Sequence, residues 1–219
     1  MSRRRWSRIA SPLLSLVLLV GPIPAANPAA NPALIVAGEA DDGPRQIQKG
    51  LPKGSKIHRV QAGEPGKDGW YEAKSTEGHF RVFMPIPFND ATIQASETPS
   101  VRVYLIGSKS EEGFKFSAHE IEAKAGKQAR IESMAQDLRN KGDFKVSNER
   151  HFLHQGYAAI EFQLSGPTSG AYVRYVECPG RLFSLIVEYP SGSEAEVKPL
   201  ISDFFNSLRV DPMPKGGKK

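Results

Sequence analysis

Few residues in this 219-residue chain combine types and spacing that could perform chemistry. Cys178 is the only cysteine, so it cannot form an intramolecular disulfide. A thiolate nucleophile needs a nearby base or positive charge to lower its pKa. Cys178 instead precedes the turn dipeptide Pro179-Gly180 between two apolar runs, the position of a structural thiol at a strand end. His151 and His154 have the i, i+3 spacing that would align two ligands on a helix, yet their flanks read as strand or turn, where they would face opposite sides. No acidic residue completes a zinc-protease motif there, and a catalytic zinc needs three protein ligands and an open position. His58, His79 and His119 are scattered singly. Neither Gly166-Pro-Thr-Ser-Gly170 nor Ser191-Gly-Ser193 has the spacing of a nucleophile elbow, and both read as turn and cap chemistry. The adjacent carboxylates Asp41-Asp42 and Glu111-Glu112 indicate solvated loops rather than an acid and base pair. No catalytic residue, metal or cofactor is assigned.

The best surface candidate for binding is Tyr172-Val173-Arg174-Tyr175. On a strand, Tyr172 and Arg174 share one face and set a cation beside an aromatic ring, available either to a partner or to a helix packed above it. Binding is therefore assigned to Tyr172 and Arg174, with packing as the competing use of the same pair.

The amino terminus says where such a domain works. Ser2-Arg3-Arg4-Arg5-Trp6-Ser7-Arg8 precedes an apolar run from Ile9 to Val20, the layout of an export signal. Twelve residues rise only about 18 Å as a helix, short of a membrane span, and Pro12 interrupts the run while Pro22 and Pro24 follow it. No stable transmembrane anchor is expected, and the protein is read as periplasmic or extracellular. The signal is either an ordinary one with a basic start or, from its paired arginines, a twin-arginine signal; Ala26, Ala37 and Ala40 are all candidate cleavage positions. Of the 29 basic and 24 acidic residues, four arginines and one glutamate lie in residues 1–40, leaving 25 against 23. The basic balance thus belongs partly to the signal and does not support nucleic-acid binding.

Four segments follow from composition: an export signal and Pro/Ala-rich stretch over residues 1–40, a Gly/Pro-rich linker over 41–69, a globular domain over 70–210, and a basic tail over 211–219 containing Lys215, Lys218 and Lys219. Gly63-Glu-Pro-Gly-Lys-Asp-Gly69 in the linker lacks the spacing of a phosphate-binding loop and reads as a turn. Inside the domain, strand-like runs flank polar turns at 70–84 and 101–121, and again at 171–189. Shorter runs at 144–147 and 156–164 add further strands. Ile131, Met134, Ala135 and Leu138 mark one face of an amphipathic helix. Val197, Leu200, Ile201, Phe204, Phe205 and Leu208 mark a second, with Ser193 and Glu196 at capping-box spacing and Pro199 either in its first turn or kinking it. Near-continuous apolar character over 181–189 predicts a central strand buried on both faces. The expected fold is α+β: an antiparallel sheet of about six or more strands flanked by helices on both faces, an α/β/α sandwich.

Gly78-His-Phe-Arg-Val-Phe-Met-Pro85, the midway helix, Gly156-Tyr-Ala-Ala-Ile-Glu-Phe162, Tyr172-Val-Arg-Tyr175, Gly180-Arg-Leu-Phe-Ser-Leu185 and Phe204-Phe-Asn-Ser-Leu-Arg-Val210 together resemble the PsbP-like superfamily over residues 70–210. The resemblance implies an antiparallel sheet between helices. That fold is shared by a photosystem extrinsic protein, a nuclear import factor that binds a small GTPase, and many exported bacterial proteins. These are packing motifs, so they imply a fold and carry no metal or partner residues onto this chain. The leading functional expectation is a non-catalytic exported domain that binds a protein or envelope component through its sheet edge or loops. Two alternatives are a small hydrolase or thiol-dependent enzyme using Cys178, and a binder of anionic envelope surfaces through the lysine tail.

Overall fold

A computed structural model describes residues 54–94, 101–123, 131–140 and 144–212. The residues read as an export signal, most of the first half of the stretch read as a linker, and the lysine tail lie outside the described residues. Eleven strands are present among those described: β1 (Lys56–Ala62), β2 (Tyr71–Lys74), β3 (Phe80–Met84), β4 (Phe88–Gln94), β5 (Val101–Lys109), β6 (Lys115–Ala123), β7 (Lys145–His154), β8 (Tyr157–Ser165), β9 (Ser169–Cys178), β10 (Arg181–Pro190) and β11 (Arg209–Val210). Two helices accompany them, α1 (Ile131–Asn140) and α2 (Glu194–Ser207).

Eight strands form one antiparallel sheet in the order β1-β4-β5-β6-β10-β9-β8-β7, while β11-β3-β2 form a separate three-stranded sheet. Each strand alternates its side chains between the two faces. On β10, Phe183, Leu185 and Val187 therefore enter one apolar cluster and Leu182 and Ile186 the other. This alternation explains the unbroken apolar run: both faces of the strand are covered. The first cluster also takes Phe80, Val82 and Met84 from β3 and Val197, Ile201, Phe204 and Phe205 from α2. Phe116 meets Phe204 edge to face at 5.5 Å between ring centroids. The second cluster takes Ile131, Ala135 and Leu138 from α1.

The expected α/β/α sandwich is not what forms. The described chain is mostly β, its main sheet has eight strands, and its two helices do not make a helical layer on each face. One face is closed by a second sheet together with α2, and the only described helix on the other is the ten-residue α1. The 70–84 hairpin belongs to that second sheet rather than opening the main one. Residues 56–62, inside the stretch whose composition reads as linker, form edge strand β1 paired with β4.

In α2 the apolar positions are buried as their period requires. Ser193 lies at the N-cap but makes no side-chain capping bond, so the capping box does not form. Pro199 sits within the helix, on its exposed side. Its missing N–H leaves the carbonyl of Ala195 without the helical bond, and Ala195 is itself an exposed residue.

Candidate functional site

An open cleft of about 300 Å³ lies where two loops, the end of β3 and α2 converge. Its first wall comes from the turn before β2. Gly66 N donates to Trp70 O at 2.7 Å and Gly69 N to Gly66 O at 3.0 Å, while Gly69 adopts a positive φ of 82°. Trp70 N donates to Asp68 Oδ1 at 3.2 Å, which ties the carboxylate to the tryptophan beside it. The second wall is the β5–β6 loop, closed by Ser110 N to Phe114 O at 2.8 Å and by Phe114 N to Ser110 Oγ at 3.2 Å. Pro85, Ile86 and Leu200 complete the lining, over the buried ring of Phe116. Glu112 is fully exposed at the rim, and hydrogen bonds from the Ser110 side chain and its own backbone hold its carboxyl below the usual carboxylate range. The walls are thus aromatic and aliphatic, and the charged lining groups, Asp68 and Glu112, are both anionic.

A larger depression of about 470 Å³ lies at the start of α2, lined by Ser165, Ser169, Ser191, Tyr189, Glu194 and Lys198 among others. Its charges are mixed, and Glu194 already accepts a hydrogen bond from Tyr172 Oη.

Tyr172 and Arg174 do share a face, and that face lies beneath α2. Arg174 is only 3% exposed. Its Nε and Nη2 donate to Glu161 Oε2 at 2.9 and 2.7 Å, and its Nη1 donates to Asn206 Oδ1 at 3.0 Å. The guanidinium also lies 5.0 Å from the Phe152 ring centroid and 4.9 Å from that of Phe205. Tyr172 is half-buried against Tyr189, and desolvation with the Glu194 carboxylate raises its hydroxyl pKa. The pair joins β9 to α2.

Cys178 is buried in the first apolar cluster, where desolvation pushes its thiol up to about 12, against a smaller opposing effect of Arg181. This is the reverse of nucleophile activation. The native protein is expected to resist a maleimide reagent at pH 7.5 and to react fully once denatured; rapid labelling of the folded chain would revive the thiol-enzyme reading.

His151 and His154 separate as their strand positions require: His151 is exposed beside Glu149, and His154 is buried near the Leu208 carbonyl. His119 is buried on β6, and desolvation lowers its pKa to about 4 despite a backbone hydrogen bond at Ser184. Between its unfolded value of 6.5 and 4, the unfolded chain takes up a proton that the folded one refuses. Stability should therefore fall as pH drops through that window, by roughly 3 kcal/mol at pH 4 relative to pH 7. Urea midpoints measured across it should be flatter for His119→Asn than for the wild type.

Sequence reasoning missed a buried ionic cluster. Glu120 is fully buried on β6; its Oε2 accepts the His79 backbone N–H at 2.5 Å, and its Oε1 lies 3.1 Å from both His79 Nδ1 and Arg181 Nε. Gly78 makes this approach possible, since a Cβ there would lie 2.8 Å from Ser75 Oγ and 2.9 Å from Tyr104 Cβ. With His79 and Glu120 separated by 41 positions in sequence, no local motif announces the cluster. The cleft was equally hidden, because its walls come from residues 68–70, 85–86, 110–116 and 200. Glu112 was visible only as half of an adjacent carboxylate pair.

No family model matches this chain, and no curated protein matches it. Solved structures similar to it include PA94, a protein of unknown function from Pseudomonas aeruginosa, at 14% identity, covering 66% of this chain and 99% of that one with a TM-score of 0.40. Cyanobacterial PsbP from Synechocystis is 11% identical over 69% of this chain and 98% of its own, with a TM-score of 0.38. LpqN of Mycobacterium tuberculosis, involved in cell envelope biogenesis, is 13% identical over 73% and 92%, with a TM-score of 0.35. No described helix is long and apolar enough to cross a membrane.

Proposed function

We propose that this is an exported, non-catalytic domain that binds a protein partner at the cleft formed by Trp70, Ile86, Phe114 and Leu200. The observation that carries the reading is how the molecule uses its reactive side chains. The thiol of Cys178 and the imidazoles of His119 and His154 are buried, and Arg174 is bonded internally, whereas the cleft offers aromatic surface and two carboxylates to solvent. The Ser110 hydroxyl that meets Glu112 is engaged in holding an exposed carboxylate and the Phe114 N–H, so the cleft reads as a recognition surface. The export signal supports work outside the cytoplasm, where a protein or envelope component is the available partner.

The test is capture from an envelope extract with the full chain and with Ile86→Ser, a loop substitution outside the strands. A protein retained by the wild type and released by Ile86→Ser is the expected result. Retention that ignores the substitution, or no specific retention, overturns the assignment.

A further inference from the structure

We infer that the group seated in this cleft is a cationic side chain, arginine or lysine, projecting from an apolar segment of the partner protein; the inference rests on the cleft being the binding site. Three features select that chemistry. The half-buried Trp70 and Phe114 line the cleft, and aromatic rings attract a desolvated cation. Asp68 and Glu112 reach the same cleft from two separate loops, so a charge entering it meets carboxylates from both. No lysine, arginine or histidine is among the lining residues. Lys115, between the lining residues Phe114 and Phe116, is paired with Glu188 at 2.9 Å, while the exposed Lys67 and Lys109 flank the two loops without lining the cleft.

Size narrows the choice further. About 300 Å³ is at the small end for cofactor or metabolite pockets, and it suits one long side chain with an apolar neighbour lying on Ile86, Pro85 and Leu200. A phosphate, carboxylate or nucleic-acid backbone would meet like charge here. A divalent cation finds no group of three His, Cys, Asp or Glu ligands among the described residues. The depression at the start of α2 lacks this selectivity, since Lys198 and Glu194 oppose each other in its lining.

The chain supplies its own reporter, because it contains two tryptophans, Trp6 and Trp70. Full-length protein labelled with 15N-tryptophan would show two indole signals, and Trp70→Phe assigns them. Titration with acetyl-Leu-Arg-Leu-amide should move the Trp70 signal saturably. The citrulline analogue, which keeps the shape and removes the charge, should bind about fivefold to tenfold more weakly. The Asp68→Asn/Glu112→Gln variant should lose a similar factor for the arginine peptide, with unchanged circular dichroism. Equal affinity for the citrulline peptide, or indifference to the double variant, overturns the inference. Choline binding as tightly as the arginine peptide overturns it too, by pointing to a headgroup amine rather than a protein side chain. Capture that depends on Ile86 would survive any of these outcomes, so failure of this inference is distinguishable from failure of the binding site itself.

Discussion

Arg174→Ala is expected to lower the unfolding free energy by about 3 kcal/mol, measured by chemical denaturation of the full chain. The guanidinium makes bonds to Glu161 and Asn206 and lies between the rings of Phe152 and Phe205. Truncation removes all of these together and leaves a void between β9 and α2. The effect should fall at the lower end of the range for broken buried pairs, because Arg150 Nη2 still donates to Glu161 Oε1 at 2.9 Å. Arg174→Lys should recover less than half of the loss. An ammonium lacks the planar fork that serves Glu161 and Asn206 at once while stacking on two rings. Unchanged stability combined with weakened partner capture would instead make Arg174 a contact residue, as its place in the sequence first implies.

Glu120→Ala should cost more, about 3–5 kcal/mol in the same measurement. Its carboxylate is completely buried, and it is the partner of Arg181, whose side chain is 11% exposed. Arg181 Nη1 already has no hydrogen-bond partner, so losing Glu120 leaves a buried cation without its counter-charge. The same substitution frees the backbone N–H and ring of His79, loosening the turn that leads into β3. Replacing both members, Glu120→Leu with Arg181→Leu, should recover part of the loss, since the desolvation cost disappears with the charges. A double variant as unstable as Glu120→Ala alone would assign the cost to the His79 contact instead.

These buried charges show where the sequence was readable and where it was not. The hairpins at 71–84, 101–123 and 169–190 were legible because period-two alternation and glycine-containing turns are local. Helix α2 was legible because Val197, Ile201, Phe204 and Phe205 repeat at the helical period. Strand β1 was not, because KIHRVQA lies at a sheet edge and has no fully buried position to mark a face. Strand β4 hides behind Asp90 and Thr92, polar residues buried through bonds to Arg59, Thr76, His58 and Glu77. Strand β7 runs through an irregularity between Ser147 and Arg150, with Asn148 at a φ of 54°, which breaks its alternation after a short apolar start. The sandwich expectation failed for a related reason. An apolar strand face needs a cover, but its period does not say whether a helix or another sheet supplies it.

Tyr172 and Arg174 illustrate the same limit at the level of a site. Their shared face follows from strand geometry, whereas what lies on that face depends on α2, some twenty residues or more further along the chain. The cleft is the converse case, since each wall is an ordinary turn or loop and recognition chemistry emerges only when they meet.

Site-specific photo-crosslinking in cells tests the central claim most directly. A crosslinking residue at position 112, on the cleft rim, is compared with one at His151, exposed on the outer strand β7. Binding at the cleft predicts a discrete crosslinked protein from position 112 and none from position 151. The same product from position 151 but not from 112, or no product from either, would contradict it.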